Sequence, residues 1–203
     1  SDNQGGLWVG AWGLAHYTAQ GQWQVFNTSN SDLPHNDILS LLGDGQGGLW
    51  IGTGSDGGLG GLAHYSAQSQ WQVFNQENSS LPDNWVIALL SDSQGGLWVG
   101  TSGEGLAHYA QGQWQVFNTD NSGLPSDSVT TLLSDSQGGL WVGTDINSRG
   151  LAHYRQAELC TQAQIDSATC QAIQQGQHAA IIVAAGGAQD TNTLWESTEA
   201  ITT

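Results

Sequence analysis

Short apolar segments alternate with glycine-rich and polar connections along most of the chain. Four of them follow one another at Ile38 to Leu42, Leu49 to Thr53, Leu62 to Tyr65 and Trp71 to Asn75. They are rich in β-branched and aromatic residues, and Gly, Asn, Asp or Ser separates them, which is typical of strands and turns. The pattern therefore predicts four strands, named A to D here, within one unit.

This unit recurs along the chain. The sequence Asp-x-x-Gly-Gly-Leu-Trp begins at Asp2, Asp44, Asp92 and Asp135, and its tryptophans are 42, 48 and 43 residues apart. Each copy continues into Gly-Leu-Ala-His-Tyr, and the first three continue into Gln-Trp-Gln-Val-Phe-Asn. Four strands in about 43 residues is the size of a β-propeller blade. The sequence predicts an all-β fold, a partial β-propeller of about 3.5 four-stranded antiparallel blades: strands B to D of the first, two complete blades, and strands A to C of the fourth.

The repeated unit, in the form Asp-x-x-Gly-Gly-Leu-Trp-Val/Ile-Gly-Thr followed by Gly-Leu, extends from Asp2 to about Arg155. It resembles the two-component regulator propeller repeat, which occurs in sensor ectodomains of bacterial signalling proteins and in other secreted bacterial proteins. The resemblance implies a periplasmic, secreted or cell-surface protein. Because an arc of under four blades leaves two open flanks, we expect a fragment of a longer protein, with a compact four-bladed closure as the alternative.

The pattern changes after residue 155, so that we divide the chain into propeller repeats (1–155), a linker (156–177) and a short α/β segment (178–203). A helix is predicted over Gln162 to Gln175 from its apolar spacing. The apolar run His178 to Ala185 predicts a buried strand of the parallel type, and Thr193 and Glu196 have the spacing of a helix capping box.

The stretch Ala-Ile-Ile-Val-Ala-Ala-Gly-Gly-Ala-Gln-Asp-Thr-Asn-Thr-Leu-Trp-Glu in this tail resembles the first strand and helix of bacterial caspase-like cysteine peptidases, the legumain and clostripain relatives. In that family the catalytic His and Cys lie on later strands. No catalytic residue is therefore assigned, and the fragment itself is predicted to lack peptidase activity.

The charge of the chain excludes several partners. Eighteen acidic residues oppose two basic ones, Arg149 and Arg155, for a formal net charge of −16. Nucleic acid and anionic membrane surfaces are therefore excluded as partners. The longest apolar run, Ala179 to Ala185, is also much shorter than the roughly 20 residues that span a bilayer.

Three sets of repeated or paired side chains are candidates for special chemistry. The Asp of each Gly-Gly turn could bind calcium, but an Asx-type turn between strands A and B explains it better. The repeated histidines could bind zinc, but strand C places them away from the propeller axis, so we expect packing and hydrogen bonding between blades, with no metal and no cofactor. Cys160 and Cys170 are expected to form a local disulfide. The histidines are His16, His64, His108 and His153.

The repeats differ most in the connection between strands B and C: Trp12-Gly13, Gly54 to Gly61, Ser102 to Gly105 and Asp145 to Gly150. In an antiparallel meander this connection and the one from strand D to strand A lie at the same edge. Variation confined to one edge favours recognition loops, although plain solvated loops explain it equally well. The predicted binding residues are Trp12, His35, Asp56, Asp83, Trp85, Glu104, Ser126, Asp145, Asn147 and Arg149.

These residues are polar, acidic and aromatic, which suits an uncharged polar ligand, a glycan or a protein loop. The leading hypothesis is a noncatalytic recognition or scaffolding propeller of an exported bacterial protein. The first alternative is part of a caspase-like cysteine peptidase whose catalytic residues lie beyond this chain. The second is the sensor ectodomain of a two-component signalling protein.

Overall fold

The fold is described by a computed structural model for residues 2, 5–92, 94–135, 138–145, 150–154 and 181–184. These residues form fifteen strands in four antiparallel sheets. Sheet I contains β1 (Leu7–Ala11), β2 (Gly13–Tyr17) and β3 (Trp23–Phe26). Sheet II contains β4 (Ile38–Gly43), β5 (Leu49–Ser55), β6 (Leu59–Tyr65) and β7 (Trp71–Phe74). Sheet III contains β8 (Val86–Ser91), β9 (Leu97–Thr101), β10 (Leu106–Ala110) and β11 (Gln113–Phe117). Sheet IV contains β12 (Val129–Ser134), β13 (Leu140–Thr144), β14 (Leu151–Tyr154) and β15 (Ile181–Ala184).

Each sheet is a meander in which every strand pairs with its neighbours in sequence. The register repeats as well: Trp50 lies opposite Leu42 on one side and His64 on the other, and Trp98 has the same two kinds of neighbour. The first fourteen strands are those predicted from the repeat. The all-β prediction with four-stranded antiparallel blades is confirmed.

The first strands of sheets II, III and IV lie next to one another, so that β4, β8 and β12 form the inner row of the array. Each has a register shift near its start, after Ile38, Val86 and Val129 respectively. A bulge at this point increases the local twist. Sheets II, III and IV are therefore arranged side by side around their A strands, as propeller blades are, and the three-stranded sheet I packs beside sheet II.

The core lies between the sheets as three separate apolar seams. In the seam between sheets I and II, Trp8, Leu14 and Phe26 face Leu49 and Ile51. The same residue types meet between sheets II and III and between sheets III and IV. Repetition of the sequence therefore repeats the seam, and each sheet is stabilised by burial against its neighbours.

A glycine in strand B lets the next sheet approach closely. A Cβ at Gly100 would lie 2.7 Å from Cγ1 of Val129, and one at Gly52 would lie 2.8 Å from Cγ1 of Val86. Both distances are shorter than carbon–carbon van der Waals contact. The glycine of the repeated Trp-Val/Ile-Gly is thus required by the packing of strand A of the following sheet.

The strand β15 differs from its prediction in its pairing. The sequence predicts a parallel strand that opens an α/β domain, but Ile181–Ala184 pairs antiparallel with β14. The outer edge of β14 offers unpaired backbone groups, and β15 supplies the fourth strand that the local repeat lacks. The linker, its predicted helix, Cys160 and Cys170, and the predicted helix near the end of the chain lie outside the described residues, so the domain boundaries stay predictions.

Candidate functional site

The four sheets have two different edges, and the turns from strand A to strand B lie at the more uniform one. In sheet II, Oδ1 of Asp44 accepts hydrogen bonds from the amides of Gln46 and Gly48, each at 2.7 Å. Gly47 has φ 92°, a left-handed conformation that favours glycine. Asp92 makes the same contacts in sheet III with the amides of Gln94 and Gly96. The repeated Asp is therefore a turn residue, as the Asx-type interpretation predicts.

The other oxygen of each Asp binds the repeated histidine. Nε2 of the histidine lies 2.8, 2.9, 2.7 and 2.8 Å from Oδ2 in the pairs Asp2–His16, Asp44–His64, Asp92–His108 and Asp135–His153. Each imidazole also lies over the tryptophan of strand B, with ring centroids 3.9 to 4.3 Å apart.

The prediction that these histidines form their hydrogen bonds between blades is wrong for the Asp–His bonds. Each one joins the A–B turn to strand C of its own sheet, because the antiparallel register places it opposite the strand B tryptophan, next to that turn. Within the described part of the chain, no group of three or more His, Cys, Asp and Glu side chains is arranged to hold a metal ion.

The hydrogen bonds at this edge change the acidity of two carboxyl groups. Burial raises the pKa of Asp44, but the hydrogen bonds from His64 and from the amides of Gln46 and Gly48 outweigh it and hold the pKa below its ordinary value. The pKa of Asp92 is lowered in the same way by His108 and its two turn amides, against the effect of burial. These carboxylates therefore stabilise the turns in their ionised form.

The opposite edge carries the B–C connections and the corners that lead into strand A. Each corner is Leu-Pro-x followed by Asn or Asp, and the side chain at x accepts a hydrogen bond from the amide two residues later. This bond is 3.1 Å for Nδ1 of His35, 3.0 Å for Oδ1 of Asp83 and 3.2 Å for Oγ of Ser126. Three of the predicted binding residues thus fix the corner conformation, which also holds them at equivalent positions along this edge.

Hydrogen bonds connect these corners to the B–C connections, so that they form one surface, named the loop edge here. The amide of Gly13 in sheet I donates to the carbonyl of Asn36 in sheet II at 2.7 Å, and Gly105 in sheet III donates to Asp127 in sheet IV at the same distance. Within sheet III, Oδ2 of Asp83 accepts from the amide of Gly103 at 3.1 Å. Neighbouring sheets are therefore held in fixed relative positions at the loop edge.

Trp12 and His35 form the most exposed aromatic pair of this edge. The Trp12 side chain is 76% exposed and lies edge-on to the His35 ring, with centroids 6.4 Å apart. A backbone bridge to Asp37 anchors Trp12 to the second sheet. Because the Asp37 amide donates to Nδ1 of His35, Nε2 carries the proton of the neutral imidazole and can donate a hydrogen bond.

The structure places the other predicted binding residues at several points of the loop edge. Trp85 is half-buried, and its ring lies so close to Gly54 that a side chain there would clash. Asp56 and Glu104 are exposed in the connections of sheets II and III. The amide of Asp145 donates to the carbonyl of Ser128 at 3.0 Å. Asn147 and Arg149 lie outside the described residues.

The B–C connection from Gly54 to Gly61 is more regular than predicted. The sequence predicts a variable loop here, but Gly54 pairs with Gly60 and Ser55 with Leu59, so that β5 and β6 continue almost to the tip of the hairpin. Glycine can pair in a strand where another backbone approaches closely. The additional residues of this connection therefore lengthen the β5–β6 hairpin, which projects from the loop edge.

Sequence reasoning missed the polar residue that follows x in each corner. Oδ1 of Asn36, Asn84 and Asp127 accepts from an amide of the preceding D–A connection at 3.0, 2.9 and 2.7 Å. Asn84 also donates from Nδ2 to the carbonyl of Gly58 in the sheet II hairpin at 3.1 Å. The recurrence of Asn or Asp two residues after each Leu-Pro was the signal that could have identified them.

One three-stranded and three four-stranded meanders, packed side by side with their loops aligned at one edge, identify this chain as a partial β-propeller. Three stretches, residues 32–55, 80–103 and 123–145, match the family model described as two component regulator propeller. The predicted resemblance to this repeat is confirmed by these matches. The resemblance of the tail to caspase-like peptidases is not tested and stays a prediction. No curated protein matches the chain.

Solved structures show the same architecture. The extracellular domain of a protein named as a hybrid two component system, BT3049 from B. thetaiotaomicron, is 25% identical with a TM-score of 0.60, covering 75% of this chain and 20% of that one. Virginiamycin B lyase from Staphylococcus aureus is 14% identical with a TM-score of 0.58, covering 74% of this chain and 49% of that one. PorZ, a surface component of the type-IX secretion system of Porphyromonas gingivalis, is 17% identical with a TM-score of 0.55, covering 76% and 24%. The chain thus spans between a fifth and a half of the length of these structures.

The described residues contain no helix that is long and apolar enough to cross a membrane.

Proposed function

We propose that this chain is part of a noncatalytic recognition propeller in the extracellular part of a bacterial sensor protein, and that its loop edge binds the ligand. The similarity to the extracellular domain of a two component system supports the sensor setting, as do the three matches to the repeat family. This setting implies a periplasmic or cell-surface location.

The observation that carries the proposal is the contrast between the two edges. The A–B turns have the same Asp, Gly and His contacts from sheet to sheet, so they serve the fold. The B–C connections of the loop edge differ in length, and Trp12 is exposed there beside the imidazole ring of His35. A rigid scaffold that carries unequal loops is the usual arrangement of a binding surface.

The chemistry of the loop edge suggests an uncharged polar ligand, a neutral glycan or a protein loop. Exposed carboxylates at Asp56 and Glu104 disfavour an anion. The Trp12 ring offers an apolar plane, and His35 and the corner residues add hydrogen-bonding groups at its border. Aromatic planes of this kind supply much of the binding energy in recognition sites.

A binding experiment with matched tryptophan variants tests the proposal. The chain is titrated with a panel of neutral oligosaccharides and peptides, using calorimetry and thermal shift, as the natural sequence, as Trp12→Ala and as Trp23→Ala. Trp23 is 59% exposed but lies on the flank of sheet I instead of the loop edge. We expect Trp12→Ala to weaken binding roughly tenfold to a hundredfold and Trp23→Ala to leave it unchanged.

If no compound of the panel binds, or if Trp12→Ala does not change the affinity of a compound that binds, the proposed binding role of the loop edge is contradicted. The propeller would then be a structural spacer. The sensor setting is tested separately by the reading frame around this chain. A transmembrane helix and a histidine kinase downstream support it, whereas His and Cys strand-end motifs of a caspase-like domain would indicate the peptidase alternative.

A further inference from the structure

The loop edge has an unbalanced negative charge. The chain has no lysine, and its two arginines lie outside the described residues. Among the described residues, histidine is therefore the one side-chain type that could supply a positive charge. The carboxylates of this edge lie in the B–C connections and corners of sheets II, III and IV: Asp37, Asp56, Asp83, Glu104, Asp127 and Asp145.

The carboxylates of the two edges differ in their partners. At the A–B turns, every repeated Asp binds the imidazole of its own sheet. At the loop edge, Oδ2 of Asp37 lies 3.8 Å from Nδ1 of His35, but that nitrogen accepts the Asp37 amide and so carries no proton for the carboxylate. Asp56 and Glu104 are exposed and form no ion pair with a described residue. These two carboxylates are thus available to a positively charged ligand.

Trp85 lies between the two connections that carry these carboxylates. On one side its ring packs against Gly54 of the sheet II hairpin, and on the other its carbonyl accepts a hydrogen bond from the Ser102 amide at 3.0 Å. Asp56 follows Gly54 by two residues, and Glu104 follows Ser102 by two residues. Sheets II and III each pack between two other sheets, so this junction lies within the array and not on an outer flank.

An aromatic ring beside carboxylates suits an ammonium or guanidinium group. The face of a tryptophan attracts a cation, and a carboxylate forms strong, charge-assisted hydrogen bonds with it. Trp12 has a similar neighbour at the junction of sheets I and II, because it bridges to Asp37, whose side chain is 36% exposed. A neutral glycan would use these rings but not the charge beside them.

The spacing of the carboxylates favours an extended partner over one small cation. In the part of the chain that the structure describes, no three His, Cys, Asp or Glu side chains are grouped around a position for one metal ion. They are instead distributed over the junctions of neighbouring sheets. A partner that reaches several of them carries several positive charges on one chain.

We propose that the ligand of the loop edge is a protein segment with Arg or Lys side chains, one of which binds beside Trp85 between Asp56 and Glu104. This inference rests on the proposed function, because it names the class of ligand that the same edge binds. The net charge of −16 would also attract such a segment over a distance and speed its association.

The test compares two peptides that differ in charge alone. One is a glycine–serine peptide with two arginines and blocked ends, and the other has citrulline, an uncharged analogue of similar shape, in place of arginine. Calorimetry with the full chain is expected to show at least about tenfold tighter binding of the arginine peptide. Its affinity should fall between about 0.1 M and about 1 M salt, where the Debye length shortens from about 10 Å to about 3 Å.

Matched double variants show whether the binding is local or follows from the net charge. Asp56→Asn with Glu104→Gln removes the two carboxylates next to Trp85 and is expected to weaken the arginine peptide at least about tenfold. Glu77→Gln with Asp120→Asn removes the same charge from exposed positions three residues after β7 and β11. It is expected to change the affinity less than about twofold. The indole N–H resonance of Trp85 should shift when the arginine peptide is added.

The outcomes separate this inference from the proposed function. The inference is overturned if the arginine peptide does not bind, if the citrulline peptide binds as tightly, or if the two double variants weaken binding equally. Spermine that binds where the peptide does not would indicate a small polyamine and also overturns it. A neutral oligosaccharide that then binds and depends on Trp12 leaves the proposed function standing, whereas the absence of any binder contradicts both.

Discussion

At the scale of single residues, the Asp and His of the repeat act as one hydrogen-bonded unit. The carboxylate of Asp92 holds two turn amides with one oxygen and His108 with the other, and the imidazole lies against Trp98. Removal of a partner from such a network leaves polar groups without their bonds, which costs about 1–3 kcal/mol. The unit therefore fixes the A–B turn against strand C in every sheet.

The substitution Asp92→Asn is expected to lower the free energy of unfolding by about 1–2 kcal/mol at neutral pH. Because the pKa of Asp92 is lowered in the folded state from its ordinary 3.8, its ionised form stabilises the fold above that pH. This contribution is lost as the pH falls through the folded-state pKa. Urea unfolding at a series of pH values should therefore show a constant difference between the two proteins above pH 3.8 and a difference that shrinks as the pH falls below it.

The control for this prediction is Asp120→Asn, at an exposed position of a D–A connection. It should change neither the stability nor its dependence on pH. A constant difference between Asp92→Asn and the natural chain across the whole pH range would contradict the assigned role of the carboxylate.

At the scale of elements, a strand is stable here because both faces of its sheet are covered. Val99 in β9 is fully buried in the seam between sheets II and III, whereas Val9, at the same place in β1, is 38% exposed on the open face of sheet I. The two strands have nearly the same sequence, Leu-Trp-Val-Gly. The difference between them is produced by the neighbouring sheet alone.

The substitutions Val99→Ala and Val9→Ala measure this difference. We expect Val99→Ala to destabilise the chain by about 1–3 kcal/mol, through lost burial and a cavity that cannot collapse, and Val9→Ala by less than about 0.5 kcal/mol. The measurement is chemical denaturation of the two variants and the natural chain under identical conditions. Equal losses for the two variants would show that the seams do not carry the stability.

The sequence predicted the elements well because their pattern is repeated. Four copies of Gly-Gly-Leu-Trp locate strand B each time. The apolar segments on either side, which are separated by polar and glycine-rich connections, locate strands A, C and D. It did not predict the pairing of Ile181–Ala184 with β14, because a continuous apolar run does not determine which strand it pairs with or in which direction. The site was predicted in part: the pairing of Trp12 with His35 depends on a bridge between two sheets, which no local pattern contains.

At the scale of the whole molecule, the chain is a row of sheets that cover each other's faces, with one edge of uniform turns and one edge of unequal loops. Stability in such an array depends on intrinsic and neighbour contributions, so the end sheets should open more readily than the inner ones. The strands β5, β9 and β13 are second strands of four-stranded sheets. Sheets II and III each pack between two others, whereas among the described residues sheet IV packs on sheet III alone.

Amide hydrogen exchange, followed by NMR on the natural chain, tests this claim most directly. The amides of Ile51 and Val99 are predicted to exchange at least about tenfold more slowly than that of Val142, which has the same position in β13. Equal exchange at the three positions would contradict an array in which each sheet depends on its neighbours.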